Sequence, residues 1–168
     1  MSEFRIERFH RHVRTGFDCG VDALNRYLVQ QAGQEMRRHF AVCFLLIESA
    51  TESIAGYYTL SACSIPLPEL PERLSNRLPR YPNIPAARMG RLAIDVRYRT
   101  RGLGGALLYD AVQRSTESDI AVYALLVDAR DDLAIRFYEH HGFHRFASQP
   151  NVLFLPIEGK SAASRFTQ

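Results

Sequence analysis

Apolar side chains recur at helical spacing in two long stretches of the chain. Between residues 22 and about 34, one face of such a helix would carry Leu24, Tyr27, Leu28 and Gln31. Between residues 103 and about 114, leucine, alanine and valine follow the same period. These patterns predict an early and a central helix, and a third helix is predicted from residue 131 or 132 to 140.

Runs of apolar, β-branched and aromatic residues predict the strands. Residues 41–48 and 53–62 are separated by a short polar segment, which predicts a hairpin. Further strands are predicted at 89–96, at 121–127 and near 152–155. Strands and helices mixed in this order favour a layered α/β or α+β sheet, without internal repeats.

A proline-rich segment interrupts this pattern. Six of the eight prolines fall between Pro66 and Pro85, which argues against regular sheet there. A short helix over residues 72–78 is still compatible with the sequence. Long loops with local packing often shape binding sites, so we expect this segment beside an acceptor cleft.

Length and composition predict one globular domain. The chain has 168 residues, of which 46% are hydrophobic, enough for a single sizeable core. We expect residues 1–158 to form this domain and residues 159–168 to form a flexible tail. No stretch approaches the roughly 18 apolar residues of a membrane span. The charged N-terminus lacks the apolar core of a signal peptide, so a cytoplasmic location is expected.

The cysteines and histidines do not form a recognisable reactive or metal-binding pattern. Cys19, Cys43 and Cys63 lack Cys-x-x-Cys spacing, and two of them lie in apolar runs, so we expect buried thiols. A cysteine nucleophile would need a histidine partner, and none stands at a recognisable spacing. The six histidines match neither metalloprotease nor zinc-finger spacing, so no metal is expected.

Positive charge is carried almost entirely by arginine. The net charge is only +3, and Lys160 is the only lysine. A planar guanidinium suits phosphate, so a long anionic partner such as a nucleic acid could bridge several arginine clusters. A GC-rich coding sequence would also replace lysine by arginine, and the acidic residues balance much of the charge. The clusters are Arg5, Arg8, Arg11 and Arg14; Arg37, Arg38 and His39; Arg73, Arg77 and Arg80; and Arg88 with Arg91.

A glycine-containing loop follows the predicted strand at 89–96. Gly102 and Gly104 can adopt positive φ and bring backbone N–H groups close to an anion, at the positive end of the central helix. Arg99 and Arg101 add charge. A P-loop would need Lys-Ser/Thr where Ala106-Leu107 stands, and a dinucleotide fingerprint lacks its third glycine. The plain alternative is a tight turn before an ordinary helix.

Two motifs in the right order resemble the GNAT acetyltransferase superfamily. They are Arg99-x-x-Gly102-x-Gly104 and Phe137-Tyr138-Glu139-x-x-Gly142-Phe143. The resemblance implies a GNAT fold, with a central mixed, mostly antiparallel sheet that is splayed at the acetyl-CoA site and flanked by helices. It also implies a bulged strand whose amides pair with pantetheine. The implied acetyl-CoA contacts are Leu92, Ala93, Ile94, Arg99, Thr100, Arg101, Gly102, Leu103, Gly104, Gly105, Ala134 and Phe137.

The same resemblance places Tyr138 at the position of the proton donor to the departing thiolate. A phenol has a pKa of about 10 and a thiol about 8.5, so this transfer needs help from geometry or environment. The alternative is that Tyr138, like Phe137, packs the late helix against the sheet.

No general base is evident, which bears on the acceptor. An α-amine has a pKa near 8, against about 10.4 for a lysine side chain, so an α-amine needs little deprotonation. His140, His141, Asp128 or a water molecule stay open as bases.

A narrower resemblance, from about Arg14 to Leu155, is to the GNAT toxins of type II toxin–antitoxin modules. It is carried by Phe17-Asp18-Cys19-Gly20, Leu24-Asn25-x-Tyr27-Leu28, Gly56-Tyr57-Tyr58-Thr59-Leu60 and Gly90-Arg91-Leu92-Ala93-Ile94-Asp95. Those toxins acetylate the amino acid on charged tRNA, and they often have histidine at the strand end where Asp128 stands in this chain. The resemblance implies aminoacyl-tRNA as substrate, a ribbon-helix-helix antitoxin and a homodimer. Candidate tRNA contacts are Arg37, Arg38, Arg77, Arg80, Arg88 and Arg91.

Two alternative functions remain compatible with these motifs. The chain could acetylate a small-molecule or protein amine. It could also bind coenzyme A without turnover, as the regulatory partner of a DNA-binding antitoxin.

Overall fold

The computed structural model describes residues 2–157. The strands are β1 (Phe4–Arg8), β2 (Val42–Glu48), β3 (Ile54–Pro66), β4 (Asn83–Ile94), β5 (Ala124–Asp128), β6 (His144–Arg145) and β7 (Val152–Pro156). The α-helices are α1 (Asp22–Arg26), α2 (Ala32–Arg37), α3 (Glu72–Ser75), α4 (Leu103–Thr116) and α5 (Asp132–His140). A π-helical segment, Tyr27–Gln31, joins α1 to α2, and short 3-10 turns lie at Leu67–Glu69 and Val96–Tyr98. The predicted tail, residues 159–168, lies outside the described residues.

The strands form a seven-stranded open sheet in the order β1-β2-β3-β4-β5-β7-β6. β1 with β2, β2 with β3, β5 with β7 and β6 with β7 are antiparallel, whereas β4 and β5 are parallel. The register of β4 with β5 covers Ala86 to Met89. The predicted mixed, mostly antiparallel sheet is therefore confirmed.

The chain divides into two compact units, each with its own apolar core. Unit 1 comprises Met1–Ser61 and Gly90–Asp110, and unit 2 comprises Ala62–Met89 and Ala111–Gln168. The core of unit 1 includes Tyr27, Leu28, Leu45, Ile47 and Tyr57. The core of unit 2 includes Ile65, Leu126, Phe146 and Phe154.

The structure confirms the early helix and the hairpin that the hydrophobic pattern predicts. The helical segment begins at Asp22 as predicted and continues through the π-helical segment to Arg37. Tyr27 and Leu28 are buried and Leu24 is half-buried, as the one-sided pattern requires. Gln31, at the end of the π-helical segment, is exposed instead, and Ala32 is buried in its place. β2 and β3 pair as the predicted antiparallel hairpin, with a register shift between Leu46 and Ile47.

The proline-rich segment contains β-strand at both of its ends, so the prediction that it holds no regular sheet is wrong there. β3 runs on to Pro66, and β4 begins at Asn83, six residues before the predicted start. Proline cannot donate to a ladder, but the register with β5 starts at Ala86, after Pro85. The short helix between the strands is confirmed, although α3 ends at Ser75.

Candidate functional site

The glycine loop in unit 1 presents backbone donors at the start of α4. Thr100 and Gly102 have φ of +62° and +73°. The N–H of Ala106 donates to the carbonyl of Gly102 at 3.2 Å, which makes Gly102 the last residue before the helix. The N–H groups of Leu103, Gly104 and Gly105 then have no carbonyl ahead of them within the helix. Together with the helix dipole, these amides suit an anion.

Only one of the two loop glycines uses positive φ. Gly102 does so, and no atom within 4 Å would meet a Cβ there. Gly104 instead lies within the first turn of α4, and it is absent from the described glycines with positive φ. The expectation that Gly104 adopts an unusual conformation is thus wrong, since a residue of the first turn takes helical angles.

The two arginines of the loop already have protein partners. Arg99 Nη2 donates to the carbonyl of Cys19 at 2.8 Å. Arg101 forms an ion pair with Glu3, and its guanidinium lies 5.0 Å from the centre of the Phe4 ring. Phosphate contacts by Arg99 and Arg101 remain predictions, while the amides at the start of α4 are the donors that this loop leaves for a ligand.

The predicted pantetheine strand packs tightly against β3. Ala93 is buried, and Leu92 and Ile94 on either side of it are half-buried. A Cβ on Gly56 would lie 2.8 Å from the carbonyl oxygen of Ala93 and 2.7 Å from Cδ1 of Ile94. Gly56 therefore permits this close approach. Gly56 opens the Gly56-Tyr57-Tyr58-Thr59-Leu60 motif, and the motif alone does not indicate this role.

Tyr138 lies on α5 in unit 2, in an apolar setting. Asp131 caps this helix by accepting the N–H of Ala134 at 2.8 Å. Tyr138 is 6% exposed, and its ring contacts those of Phe137 and Phe143 at centroid distances of 5.2 and 5.5 Å. Ala134 and Phe137 are half-buried on the same helix. The predicted late helix is therefore confirmed, with Tyr138 on its buried face.

The environment of Tyr138 favours the neutral phenol. Burial raises the pKa of Tyr138, the carboxylate of Asp128 raises it further, and Arg130 partly opposes both effects. Residues 2–157 provide no hydrogen-bond partner for its hydroxyl. A buried hydroxyl in this state can donate to a ligand at any physiological pH.

The groups considered as a base or a nucleophile differ in their surroundings. Nδ1 of His141 lies 2.9 Å from the carbonyl of Phe137. Asp128 ends β5 and forms an ion pair with Arg88 at 3.3 Å. Burial raises the pKa of Cys43 to about 12, so its thiol stays protonated and is a poor nucleophile.

The six candidate tRNA arginines fall into two groups. Arg91 stacks on Tyr27, and Arg88 pairs with Asp128. Arg80 donates to Asn76 at 3.4 Å. Of these six, Arg37, Arg38 and Arg77 are exposed and make neither an ion pair nor a side-chain hydrogen bond within residues 2–157.

The described part of the chain contains neither a metal-binding cluster nor a membrane-spanning helix. Within residues 2–157 no group of three or more His, Cys, Asp or Glu side chains could hold a metal ion. None of the helices in this part of the chain has the length and apolar character that crossing a membrane requires.

Asp95 is a further residue of this region, and its motif in the sequence does not reveal its role. Its side chain is completely buried at the end of β4, where it accepts hydrogen bonds from Asp18 and Arg97. The available signal was a carboxylate at the end of an apolar strand, since buried charges are rare unless they are paired.

Known proteins resemble this chain over most of its length. The Acetyltransferase (GNAT) domain family matches residues 68–145. The tRNA-acetylating toxin of Mycobacterium tuberculosis is 31% identical over 150 residues, which cover 88% of each chain. The probable toxin TacT of Sinorhizobium fredii is 29% identical over 157 residues, covering 88% of this chain and 87% of TacT.

Solved structures agree with these sequence matches. A tyrosine-to-phenylalanine mutant of KacT has a TM-score of 0.88 at 29% identity, covering 97% of this chain and 99% of KacT. AtaT complexed with acetyl-methionyl-tRNAfMet has a TM-score of 0.87 at 29% identity, covering 98% and 99%. A mutant AtaT bound to the C-terminus of the antitoxin AtaR and acetyl-CoA has a TM-score of 0.80 at 27% identity, covering 99% and 100%. The chain has the GNAT fold and belongs to the GNAT acetyltransferase family, among the toxins of that family.

Proposed function

We propose that this protein transfers the acetyl group of acetyl-CoA to the α-amine of aminoacyl-tRNA and thereby blocks translation as a toxin. The observation that carries the proposal is the likeness to AtaT complexed with acetyl-methionyl-tRNAfMet, which extends over 98% of this chain. The arrangement of the chain's own residues supports both halves of the reaction, the donor and the acceptor.

The loop before α4 fits the pyrophosphate of coenzyme A. The N–H groups of Leu103, Gly104 and Gly105 precede the first helical hydrogen bond, and the space around Gly102 is open. Arg99, Thr100 and Arg101 flank these donors. Backbone amides of Leu92, Ala93 and Ile94 would pair with pantetheine, and Ala134 and Phe137 would contact the cofactor from α5. Acetyl-CoA, once bound, supplies an acyl group on a thioester.

Tyr138 would act as the acid of the reaction. Its hydroxyl is protonated and has no hydrogen-bond partner among the described residues, so it is available to donate a proton to the sulfur as the carbon–sulfur bond breaks. The raised pKa means that this proton is held strongly. Tyr138 can therefore help only if its hydroxyl lies next to the sulfur. There, a hydrogen bond from the hydroxyl would stabilise the negative charge that develops on the sulfur, even before the proton is transferred.

The absence of an obvious base favours an α-amine acceptor. About a tenth of an α-amine with a pKa near 8 is neutral at pH 7, whereas a lysine side chain is almost fully charged. The neutral amine can attack directly and release its proton to water. The substrate we propose therefore needs no dedicated base in the chain.

Exposed arginines support a nucleic-acid acceptor. Arg37 and Arg38 end the early helical segment, and Arg77 follows α3. Their guanidinium groups lack internal ion pairs within the described residues, so phosphate can bind them without breaking a protein contact. Arg80, Arg88 and Arg91 are secondary candidates because each already contacts a protein side chain.

We further propose a ribbon-helix-helix antitoxin, a homodimer, a cytoplasmic location and catalysis without metal. AtaT binds the C-terminus of its antitoxin AtaR, which supports an antitoxin partner for this chain. A tRNA substrate supports the cytoplasmic location.

Salt dependence tests the acceptor. Acetylation of charged tRNA should fall steeply between low and moderate salt, because each phosphate contact releases counterions. Acetylation of a small amine should hardly change over the same range. Replacing Arg37, Arg38 and Arg77 by alanine should flatten the slope of log rate against log salt by about two to three. Arg145→Ala is the matched control, since Arg145 is exposed but paired with Glu139. Equal salt slopes for tRNA and the small amine would favour a small-amine acetyltransferase instead.

A further inference from the structure

The segment that leads from β4 into the glycine loop is fixed by a buried carboxylate. Oδ2 of Asp95 accepts the backbone N–H of Asp18 at 3.0 Å and Nη2 of Arg97 at 3.0 Å. Oδ1 accepts the backbone N–H and Nε of Arg97 at 2.9 and 3.0 Å. Burial alone would raise the pKa of Asp95, but these hydrogen bonds outweigh it and the pKa is lowered. The carboxylate is therefore ionised at neutral pH.

Two more hydrogen bonds join the same segments. The N–H of Val96 donates to the carbonyl of Asp18 at 2.8 Å. Arg99 Nη2 donates to the carbonyl of Cys19 at 2.8 Å. With the bond from Asp18 to Asp95, three hydrogen bonds connect Asp18 and Cys19 to the last residues before the loop. We call this set the loop clamp.

Asn25 ties the clamp to α1. Its side-chain oxygen accepts the N–H of Cys19 at 2.9 Å, and its side-chain nitrogen donates to Oδ1 of Asp18 at 3.0 Å. The same Asp18 oxygen accepts the N–H of Gly20 at 2.8 Å. The Phe17-Asp18-Cys19-Gly20 motif, which the proposed reaction leaves without a role, is thus held on both sides.

The loop that follows needs such support. Thr100, directly after Arg99, has φ of +62°. The left-handed region costs a residue with a side chain about 1–2 kcal/mol, so it persists only where neighbouring contacts impose it. The clamp ends at Arg99, one residue earlier, and therefore sets the course of the chain into Gly102 and the first turn of α4.

We propose that Asp95 and Arg99 are positioning residues for acetyl-CoA. Asp95 holds the segment before the loop, and Arg99 acts through its hydrogen bond to the carbonyl of Cys19. The loop amides are thereby placed for the pyrophosphate before the cofactor arrives. This inference rests on the donor half of the proposed function and is independent of the acceptor.

The test is the affinity of the full chain for coenzyme A, measured by titration calorimetry. Asp95→Asn replaces one carboxylate oxygen by an N–H₂ group, which faces the hydrogen-bond donors of Asp18 and Arg97 and cannot accept from them. Arg99→Met removes the hydrogen bond to the carbonyl of Cys19. Each should weaken binding about tenfold. Because both act through one clamp, the double variant should also lose about tenfold, not a hundredfold. Arg99→Lys keeps a donor for the Cys19 carbonyl and should stay within about threefold of wild type.

Tyr98→Phe is the matched control. It lies in the same segment and removes a 2.7 Å hydrogen bond to Glu48 that is not part of the clamp, so affinity should remain within twofold. If Asp95→Asn does not fold, as judged by circular dichroism, Asn25→Ala with Arg99→Met tests the same non-additivity.

Three results would overturn the inference. The first is an Asp95→Asn variant that binds coenzyme A as tightly as the wild type, and the second is a double variant whose loss of affinity is the product of the two single losses. If Arg99→Lys lost as much as Arg99→Met, the bond to Cys19 would not account for the effect. A wild-type chain that fails to bind coenzyme A would instead remove the proposed function itself, and the inference with it.

A second readout separates positioning from general damage to the fold. With any accepted amine, Asp95→Asn should raise the KM for acetyl-CoA about tenfold and leave kcat within twofold. The rate with S-acetylpantetheine, which lacks the pyrophosphate, should be unchanged. Equal losses with both donors would mean that Asp95 only stabilises the fold.

Discussion

The guanidinium of Arg91 lies over the ring of Tyr27, with its carbon 3.6 Å from the ring centroid. The hydroxyl of Tyr27 donates to Glu35 at 2.5 Å, so the ring is held from its edge and its face. Tyr27 begins the π-helical segment between α1 and α2, a type of turn that is frequent at functional sites. Arg91 is a candidate tRNA contact, and the structure gives it a packing role as well.

Arg91→Ala should therefore reduce stability as well as any tRNA binding. Loss of a partly buried cation–π contact should lower the free energy of unfolding by about 1 kcal/mol, measured by urea denaturation. Arg37→Ala, which removes an exposed and unpaired arginine, should stay within about 0.5 kcal/mol. Equal stability of the two variants would show that the stacking on Tyr27 contributes nothing.

Gly56→Ala should destabilise the protein by overpacking. The new methyl group would lie 2.8 Å from the Ala93 carbonyl and 3.2 Å from Cδ1 of Leu107, so β3 must move away from β4 at a cost of about 1–3 kcal/mol. Gly33→Ala is the control, because its Cβ would meet its nearest neighbour at 3.4 Å within a helix. It should stabilise by up to about 1 kcal/mol. A thermal midpoint for Gly56→Ala at or above that of wild type would contradict this packing account.

Gly102→Ala should weaken coenzyme A binding through backbone strain. Its φ of +73° costs about 1 kcal/mol for alanine, although the space around it is open. Gly16→Ala matches it closely, with φ of +90° and open space but outside the loop. Both should lose similar stability, and only Gly102→Ala should lose affinity in calorimetry. Gly104→Val should abolish binding, because valine keeps the backbone N–H but its side chain would block the close approach of the pyrophosphate to this proposed donor. Unchanged affinity in Gly102→Ala and Gly104→Val would disprove the phosphate loop.

The secondary structure that the sequence could predict is the part fixed by local pattern. The early helix and the hairpin follow from residues that repeat within one element. β1 has only five residues, three of them charged, and β6 has only two residues. Neither is an apolar run, and their strand conformation depends on pairing with β2 and β7. Sequence analysis therefore missed both strands.

The candidate site divides in the same way. Gly102 and Tyr138 stand out in short sequence motifs. In the structure Gly102 has a positive φ, and Tyr138 has a buried, protonated hydroxyl. The partners of Arg99 and Arg101 lie 80 and 98 residues away in sequence. No local spacing encodes such contacts, so only the fold reveals that both side chains are already engaged.

The pH dependence of acetylation should reflect the state of Tyr138. Burial, with a smaller contribution from Asp128, raises its pKa, so the neutral phenol persists beyond the usual value of about 10. The rate should rise as the α-amine loses its proton near pH 8 and then stay flat to about pH 10. An alkaline decline below pH 10 that is absent from Tyr138→Phe would contradict this assignment.

The most direct test is mass analysis of aminoacyl-tRNA from cells that express wild type or Tyr138→Phe. The hydroxyl has no hydrogen-bond partner among residues 2–157, so Tyr138→Phe should fold and bind coenzyme A normally while transferring acetyl at least about a hundredfold more slowly. We predict acetylated aminoacyl-tRNA with the wild type and almost none with the variant. Equal amounts from both would remove Tyr138 from the reaction, and none from the wild type would contradict the proposed function.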